Sequence, residues 1–336
     1  MVSLENIHFI GVPALAADMA EVRLGKMHLR WCDHCNVPVL EDAHCARCGG
    51  STHQVEMTPP GDARPAFRHD IDFVRKYVDL QFGEGSGEAL MPDGSVYLFN
   101  KVPALDRMDE VIADGEVIVT MRYDLGLGWR ALPRVKAASK IVRKATKNLV
   151  WADQGAVEPI LGNQSLMAPG VNKVVGDFQK GEEVIVLDPE GNALATGVAR
   201  MSSEEMRNAE RGAAVKVRWS GRTAPQAERP KADWNVAIEA NAKVMERRVK
   251  ESVEFVLRLA EEHRDIPQVV SFSGGKDSLA TLLLTREAGL NLPVFFINTG
   301  LEFPETVSYV YRLKDELKLD LVLGRAEEDA FFGNLE

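Results

Sequence analysis

The chain has 336 residues, 45% hydrophobic and 27% charged, with a formal net charge of −10. That length supports two or three units with cores of their own, and the balance lies well away from the disordered and membrane classes. An acidic surplus also excludes a protein that coats nucleic acid indiscriminately, while leaving room for a local basic face.

The start, Met1 to Asn6, has neither the basic residues nor the apolar core of a signal peptide, and no apolar run approaches the roughly 18 residues of a membrane helix. A cytoplasmic protein with no membrane partner is expected. All four cysteines lie in one stretch, Cys32-Asp33-His34-Cys35 and Cys45-Ala46-Arg47-Cys48. Four thiolates at this spacing close a tetrahedral site, so structural zinc on Cys32, Cys35, Cys45 and Cys48 is expected in a ribbon within residues 1–56. Iron fits the same ligands, and a redox dithiol pair is the alternative. Asn36 and Gly49 tolerate the positive φ that a knuckle curling around sulfur requires. His34, His44 and His53 are expected to face solvent, because four cysteines already satisfy an ion.

Breaker clusters at Pro59, Pro60, Gly61 and Pro65, and at Gly221, Pro225 and Pro230, divide the rest of the chain. Residues 67–148 read as a small mixed α/β module. It has a helix over 71–82, a loop over 83–94 and strands over 95–100 and 116–124. From Leu125 to Ala152 there are seven basic residues and no acidic one. Lys136, Lys140, Arg143, Lys144 and Lys147 fall at helical spacing and form a candidate RNA-binding stripe, against the plainer reading of a solvated helix face. Trp129 and Trp151 bracket it as candidate stacking partners or core residues. Residues 149–220 then alternate short β-rich runs (183–187, 193–198, 214–219) with tight turns, the rhythm of a compact β-barrel.

Residues 233–336 change character. Asp233 caps a long helix with Ile238, Ala242, Met245, Val249, Val253, Val256 and Ala260 on one stripe. A strand (268–272), helix (278–288), strand (293–298), helix from Pro304 and strand (320–324) come after it. This βαβαβ order predicts an α/β domain with a parallel, doubly wound sheet. Between its first strand and helix lies Ser273-Gly274-Gly275-Lys276-Asp277-Ser278, where free amides and the helix dipole hold a phosphate. A cation at a helix N-terminus is disfavoured unless an anion offsets it, so Lys276 points to a bound pyrophosphate. Asp277 stands where a Walker A loop has its Mg²⁺-binding hydroxyl, which argues against γ-phosphate hydrolysis. Catalysis is assigned to Lys276 and Asp277. Asn298, Thr299 and Gly300 end the second strand at the same sheet edge and are expected on the sugar or base of one nucleotide.

The segment Ser-Phe-Ser-Gly-Gly-Lys-Asp-Ser at 271–278, with Asn-Thr-Gly-Leu-Glu-Phe-Pro-Glu-Thr at 298–306, resembles the phosphoadenosine phosphosulfate (PAPS) reductase branch of the PP-loop ATP-pyrophosphatase superfamily. The resemblance implies an adenine-nucleotide site, ATP or a PAPS-like nucleotide, with Mg²⁺ on the phosphates. Asn298 stands where the family usually has Asp. Reductases of that branch use a C-terminal cysteine, whereas this sequence has none after Cys48, and with three strands before Glu336 and Phe331 and Phe332 left uncovered the domain reads as truncated. Residues 149–219 resemble a PUA domain through Gly155–Pro159, Leu166–Val171, Gly181–Val184 and Ala214–Arg218, which implies docking on tRNA or rRNA. Together these readings favour a nucleotide-dependent enzyme acting on RNA by adenylation or sulfur transfer, with a redox or sulfur-donor partner for the latter. A small-molecule PAPS or adenylyl-sulfate reductase and a non-catalytic nucleotide sensor that binds RNA are the alternatives.

Overall fold

The computed structural model describes residues 29–223 and 229–325, in two units divided after Ala240. Met1 to Asn6, Pro225, Phe331 and Phe332, on which expectations rest, lie outside the described residues.

The first unit opens with β1 (Leu29–Cys32), β2 (Val37–Leu40) and β3 (His53–Gln54), an antiparallel sheet in the order β2-β1-β3. Trp31 in β1 is fully buried, and its indole N–H donates to Asn36 Oδ1 at 3.0 Å. It shares a core with Leu98, Ile112 and Val117 of the next module, so the cysteine-rich segment is anchored rather than tethered.

That module runs β4 (Asp62–Pro65), α1 (Arg68–Phe82), α2 (Ser86–Leu90), β5 (Leu98–Val102), β6 (Met108–Ala113), β7 (Glu116–Asp124), β8 (Gly128–Pro133) and α3 (Val135–Ile141). The strands β4 to β8 form one antiparallel sheet in chain order. The sequence pattern places only β5 and β7, and it leaves α2 inside a loop. Helix α1 begins at Arg68 rather than at Ile71, because Asp70 reaches back to accept from the Phe67 amide at 2.9 Å. Arg64 meets the same carboxylate through both terminal nitrogens, at 2.7 and 2.9 Å. The Arg64 guanidinium and the Phe67 amide hold the buried Asp70 carboxyl below the usual carboxylate range against the opposing effect of burial. A depressed folded pKa contributes stability that is complete above the unfolded value of roughly 3.9 and is lost as pH falls through the folded value. Asp70→Asn is therefore expected to cost about 2 kcal/mol at pH 7 and little near pH 2, as read by urea melts at both.

Next come β9 (Leu149–Ala152), α4 (Gln154–Leu161), β10 (Leu166–Met167), β11 (Val171–Val175), β12 (Glu183–Leu187), β13 (Ala193–Ala199), α5 (Ser203–Asn208) and β14 (Ala213–Ser220). They form a six-stranded sheet ordered β10-β14-β13-β12-β9-β11, whose one parallel pair is β9 with β12. It curls around Val150, Ile160, Phe178, Val186 and Val215.

The single long helix expected after Asp233 is two. Asp233 does cap α6 (Trp234–Ala240), accepting from the Val236 amide at 3.0 Å. Asn241 then leaves helical geometry and α7 (Ala242–Glu262) begins. Helix α6 belongs with the cysteine segment, where Ala237 and Ala240 pack with Val37, Val39 and Cys45, and Arg47 pairs with Glu239 at 2.7 Å. Of the expected apolar stripe, Ile238, Met245 and Val249 remain exposed.

The second unit continues β15 (Val270–Ser271), α8 (Lys276–Glu287), β16 (Val294–Asn298), α9 (Pro304–Leu317) and β17 (Leu321–Arg325). The three strands are parallel and adjacent in chain order. Val270, Val294 and Phe296 share one core with Leu282 of α8 and Val310 and Leu313 of α9, so both helices cover the same sheet face. Ile297 and Val322 stand on the other, about half exposed. The loops after β15 and β16 both lie at the carboxyl edge of the sheet, as the sequence predicts.

Candidate functional site

Strand β15 delivers the chain to the edge through Phe272, whose amide donates to Phe295 O at 2.8 Å. The glycine loop beyond it is braced from within. Ser273 and Ser278 hydroxyls lie 3.1 Å apart, the Ser273 amide donates to Ser278 Oγ at 3.2 Å, and Ser278 Oγ donates to Gly275 O at 3.0 Å. The loop therefore keeps its shape by its own hydroxyls, and the first-turn amides of α8 have no intrahelical acceptor. Those amides sit at the positive end of the helix dipole, a ready anion cradle. Lys276 and Asp277 are adjacent and exposed, with Nζ 3.0 Å from Oδ1. Such a pair contributes almost nothing to stability, so a ligand competes for either group at little cost.

The two glycines differ. Gly274 has φ +80, and a Cβ there would lie 2.8 Å from Thr306 Cγ2, at the start of α9. Gly275 is the extended N-cap of α8 with room for a Cβ, whose nearest neighbour is Ser273 Oγ at 3.5 Å. The glycine loop thus closes on the second motif through Gly274. In that motif Asn298 Oδ1 accepts from the Gly300 amide at 2.9 Å. Its work is turn geometry, which an Asn performs as well as an Asp. Thr299 gives its amide and its hydroxyl to the two oxygens of Glu302, each at 2.8 Å. Those bonds from Thr299 keep the Glu302 carboxyl below its ordinary range. Glu302 and Thr306 lie within the 298–306 motif, but the sequence assigns neither of them its contact; the Thr-x-x-Glu spacing of a reciprocal turn is the available signal for Glu302.

In the first unit the four cysteines converge, their sulfurs all within 4.8 Å of one another. Cys32 and Cys48 are 3.6 Å apart and Cys35 and Cys45 3.9 Å, far beyond a disulfide and close to the spacing of about 3.8 Å that Zn–S bonds of about 2.3 Å impose on a tetrahedron. Backbone amides of Cys35 and Gly50 point at Cys32 and Cys48 sulfur, at 3.5 and 3.4 Å. Asn36 and Gly49 adopt φ of 53 and 72, the curl expected after each pair. Burial pushes the Cys32 thiol up to about 12, so this sulfur becomes a thiolate only beside a cation. The four residues can hold a metal ion. His34, His44 and His53 are exposed outside the cluster, and His53 pairs instead with Asp33 at 3.2 Å.

The basic stripe is not one helix face. Helix α3 ends at Ile141, and the chain turns back so that Thr146 and Lys147 amides both meet Phe82 O. Lys136 and Lys140 are taken up by Glu116 and Asp114, at 3.0 and 2.8 Å. Burial alone would raise the Asp114 carboxyl, but Lys140 and Asn36 together hold it down, tying α3 to the cysteine knuckle. Arg143 and Lys144 are exposed and Lys147 partly so, and none of the three makes an ion pair among the described residues. Trp129 and Trp151 are half-buried, the latter beneath Lys173 Nζ at 4.8 Å.

A parallel sheet with an amide-lined loop at its carboxyl edge, preceded by a curled mixed sheet and a four-thiol knuckle, defines a modular protein with a candidate phosphate site. Residues 148–219 match the profile of the PUA domain and residues 267–331 that of the phosphoadenosine phosphosulfate reductase domain, so the chain carries one of each. The uncharacterized protein MJ0066 of Methanocaldococcus jannaschii is 32% identical over 317 residues, 90% of this chain and 64% of that protein; the chain thus spans just under two-thirds of this relative's length. The tRNA-guanine(15) transglycosylase of Methanothermobacter thermautotrophicus is 31% identical over 188 residues, 54% of this chain and 27% of the enzyme. Among solved structures, the hypothetical protein PH0734.1 of Pyrococcus horikoshii aligns with a TM-score of 0.39 at 24% identity, covering 47% of this chain and 93% of its own. Among the described residues no helix is long and apolar enough to cross a membrane.

Proposed function

We propose that this protein is a cytoplasmic, adenine-nucleotide-dependent enzyme that acts on RNA, docking it through the PUA domain and activating or transferring a group in the second unit. The observation that carries the reading is the glycine loop, closed on Thr306 by Gly274 and braced by Ser273 and Ser278 so that helical amides and Lys276 face outward. In the adenylation form an acceptor oxygen attacks the α-phosphorus of ATP, the bond to the bridging oxygen breaks, and pyrophosphate leaves. Lys276 and the α8 amides hold that leaving group, and Mg²⁺ on the phosphates supplies further charge neutralisation. Asn298, Thr299 and Gly300 bound the sugar side of the same edge. In the sulfur-transfer form a nucleophilic atom of the RNA attacks the sulfur of a bound sulfonucleotide, the bond from that sulfur to the phosphate oxygen breaks, and the adenosine phosphate leaves, held by the same loop.

The relative named for tRNA-guanine(15) transglycosylation aligns over more than half of this chain, which favours tRNA as the RNA. Zinc on Cys32, Cys35, Cys45 and Cys48 is structural in this account, because a four-sulfur site leaves no open position. Incubation with RNA and ATP labelled on the α-phosphate, or a sulfonucleotide labelled on sulfur, tests the proposal. Label should move to RNA from one of the two, and Lys276→Ala should slow it by about 10- to 100-fold. No transfer to RNA from either nucleotide would leave a small-molecule sulfonucleotide reductase or a non-catalytic sensor as the better description.

A further inference from the structure

Between the antiparallel module and the PUA domain of the first unit lies a cleft of about 500 Å³, within the size range of small-ligand sites. Tyr77 and Trp129 line it, and both are half-buried members of an aromatic cluster. Trp129 meets Phe73 edge-on at 4.9 Å and Tyr123 at 5.5 Å, and Phe73 meets Tyr77 at 5.0 Å. The rings are therefore fixed before anything binds. The polar lining divides into spent and unspent groups. Glu183 is buried and bonded by both Arg130 and Arg218, and Asp177 pairs with Arg207. Lys147, Lys180 and Glu182 also line the cleft and make no side-chain hydrogen bond or ion pair among the described residues. Exposed Gln179 completes the polar side.

Lys147 is also the last basic residue of the run, three residues after exposed Lys144 and four after exposed Arg143. A polyanion tracked by those residues is led to the cleft mouth. A duplex keeps its bases stacked inside, whereas proteins read RNA mainly at unpaired nucleotides that can be splayed out and stacked on aromatic rings. We propose that this cleft receives one unpaired nucleotide of the bound RNA, its base against Trp129 and Tyr77 and its phosphate near Lys147 and Lys180. Gln179 offers both a donor and an acceptor and Glu182 an acceptor to the base edge, so they set base preference. This rests on the RNA-binding reading and adds where and in what form the RNA is read.

The test uses the full chain and labelled, unstructured RNA oligomers of about ten nucleotides, one for each base, beside a duplex of equal length. Single strands should bind more tightly, and Trp129→Leu should weaken them by at least about fivefold while duplex affinity stays put. Glu182→Gln, at an exposed position, should reorder affinities among the four bases. Because Trp129 also packs on Phe73, the unaltered chain is cross-linked in parallel to RNA containing 4-thiouridine, with adducts expected on peptides holding Tyr77, Trp129 or residues 179–182. Salt-sensitive RNA binding that is flattened by neutralising Arg143, Lys144 and Lys147, with neither variant having an effect and adducts elsewhere, would overturn the cleft and leave RNA binding standing. Failure to bind the oligomers, the duplex and tRNA alike would sink both.

Discussion

Replacing Gly274 by valine is expected to abolish nucleotide binding and to loosen the second unit on its own. The residue sits at φ +80, where a β-branched side chain is strained by about 1–2 kcal/mol, and its Cβ would meet Thr306 Cγ2 at 2.8 Å. Relief requires α9 or the loop to move, an overpacking cost of about 1–3 kcal/mol more. Either movement parts the two motifs that together edge the site. Gly275→Ala is the control, since that backbone is extended and its Cβ has room. It should keep the fold and weaken ATP only through crowding of the ligand. Calorimetric titration of ATP into wild type and both variants, alongside thermal melts, measures the contrast. Equal effects at the two positions would mean that contact with Thr306 does not organise the loop.

Removing the metal should have the other large effect, confined to the first unit. Cys32, Cys35 and Cys45 are buried among Val37, Val39, Val96, Ala237 and Ala240, so the knuckle is also the core that seats α6. A four-sulfur zinc site contributes roughly 10–16 kcal/mol of apparent binding free energy to its folded form, more than a small module retains without it. A strong chelator, or Cys32→Ser, should therefore release β1 to β3 and α6. Trp31, fully buried and bonded to Asn36, should report this as a red shift and loss of intensity in its fluorescence. Nucleotide binding should survive, because none of those residues belongs to the second unit. Elemental analysis should find close to one zinc per chain, and protein purified without chelator that holds neither zinc nor iron would contradict the assignment.

Much of this was legible where one physical rule acts alone. Strands β7 and β12 run over 116–124 and 183–187, as their apolar, β-branched composition indicates. Strand β6 was missed because it buries Asp109 and Glu110, charges that break an apolar alternation until Thr58, Asn100, Arg107 and Arg134 are brought to them by the fold. Strand β8 is hidden for the same reason: Arg130, one of the seven basic residues of 125–152, breaks the alternation and is the partner of buried Glu183. The Asp114-Gly115 pair, both at positive φ, is itself a hairpin-turn signal and joins β6 to β7. Helical spacing put five cations on one face, but periodicity cannot show that Val142 ends α3 or that Lys136 and Lys140 have acidic partners across the sheet. At the nucleotide loop the order strand, glycines, helix was enough to place the site. Which glycine is sterically required was not, because that depends on Thr306, more than thirty residues away.

Hydrogen exchange on the full chain with and without ATP or a sulfonucleotide bears most directly on the claim that the second unit is an adenine-nucleotide site. Amides of the loop and first turn of α8 have no helical acceptor, so they exchange fast when free and slow when a phosphate accepts from them. The account expects nucleotide-dependent protection in peptides covering 272–282 and 298–306 together, diminished in Lys276→Ala. Saturating nucleotide that leaves both segments unchanged, or protects only the first unit, would contradict it.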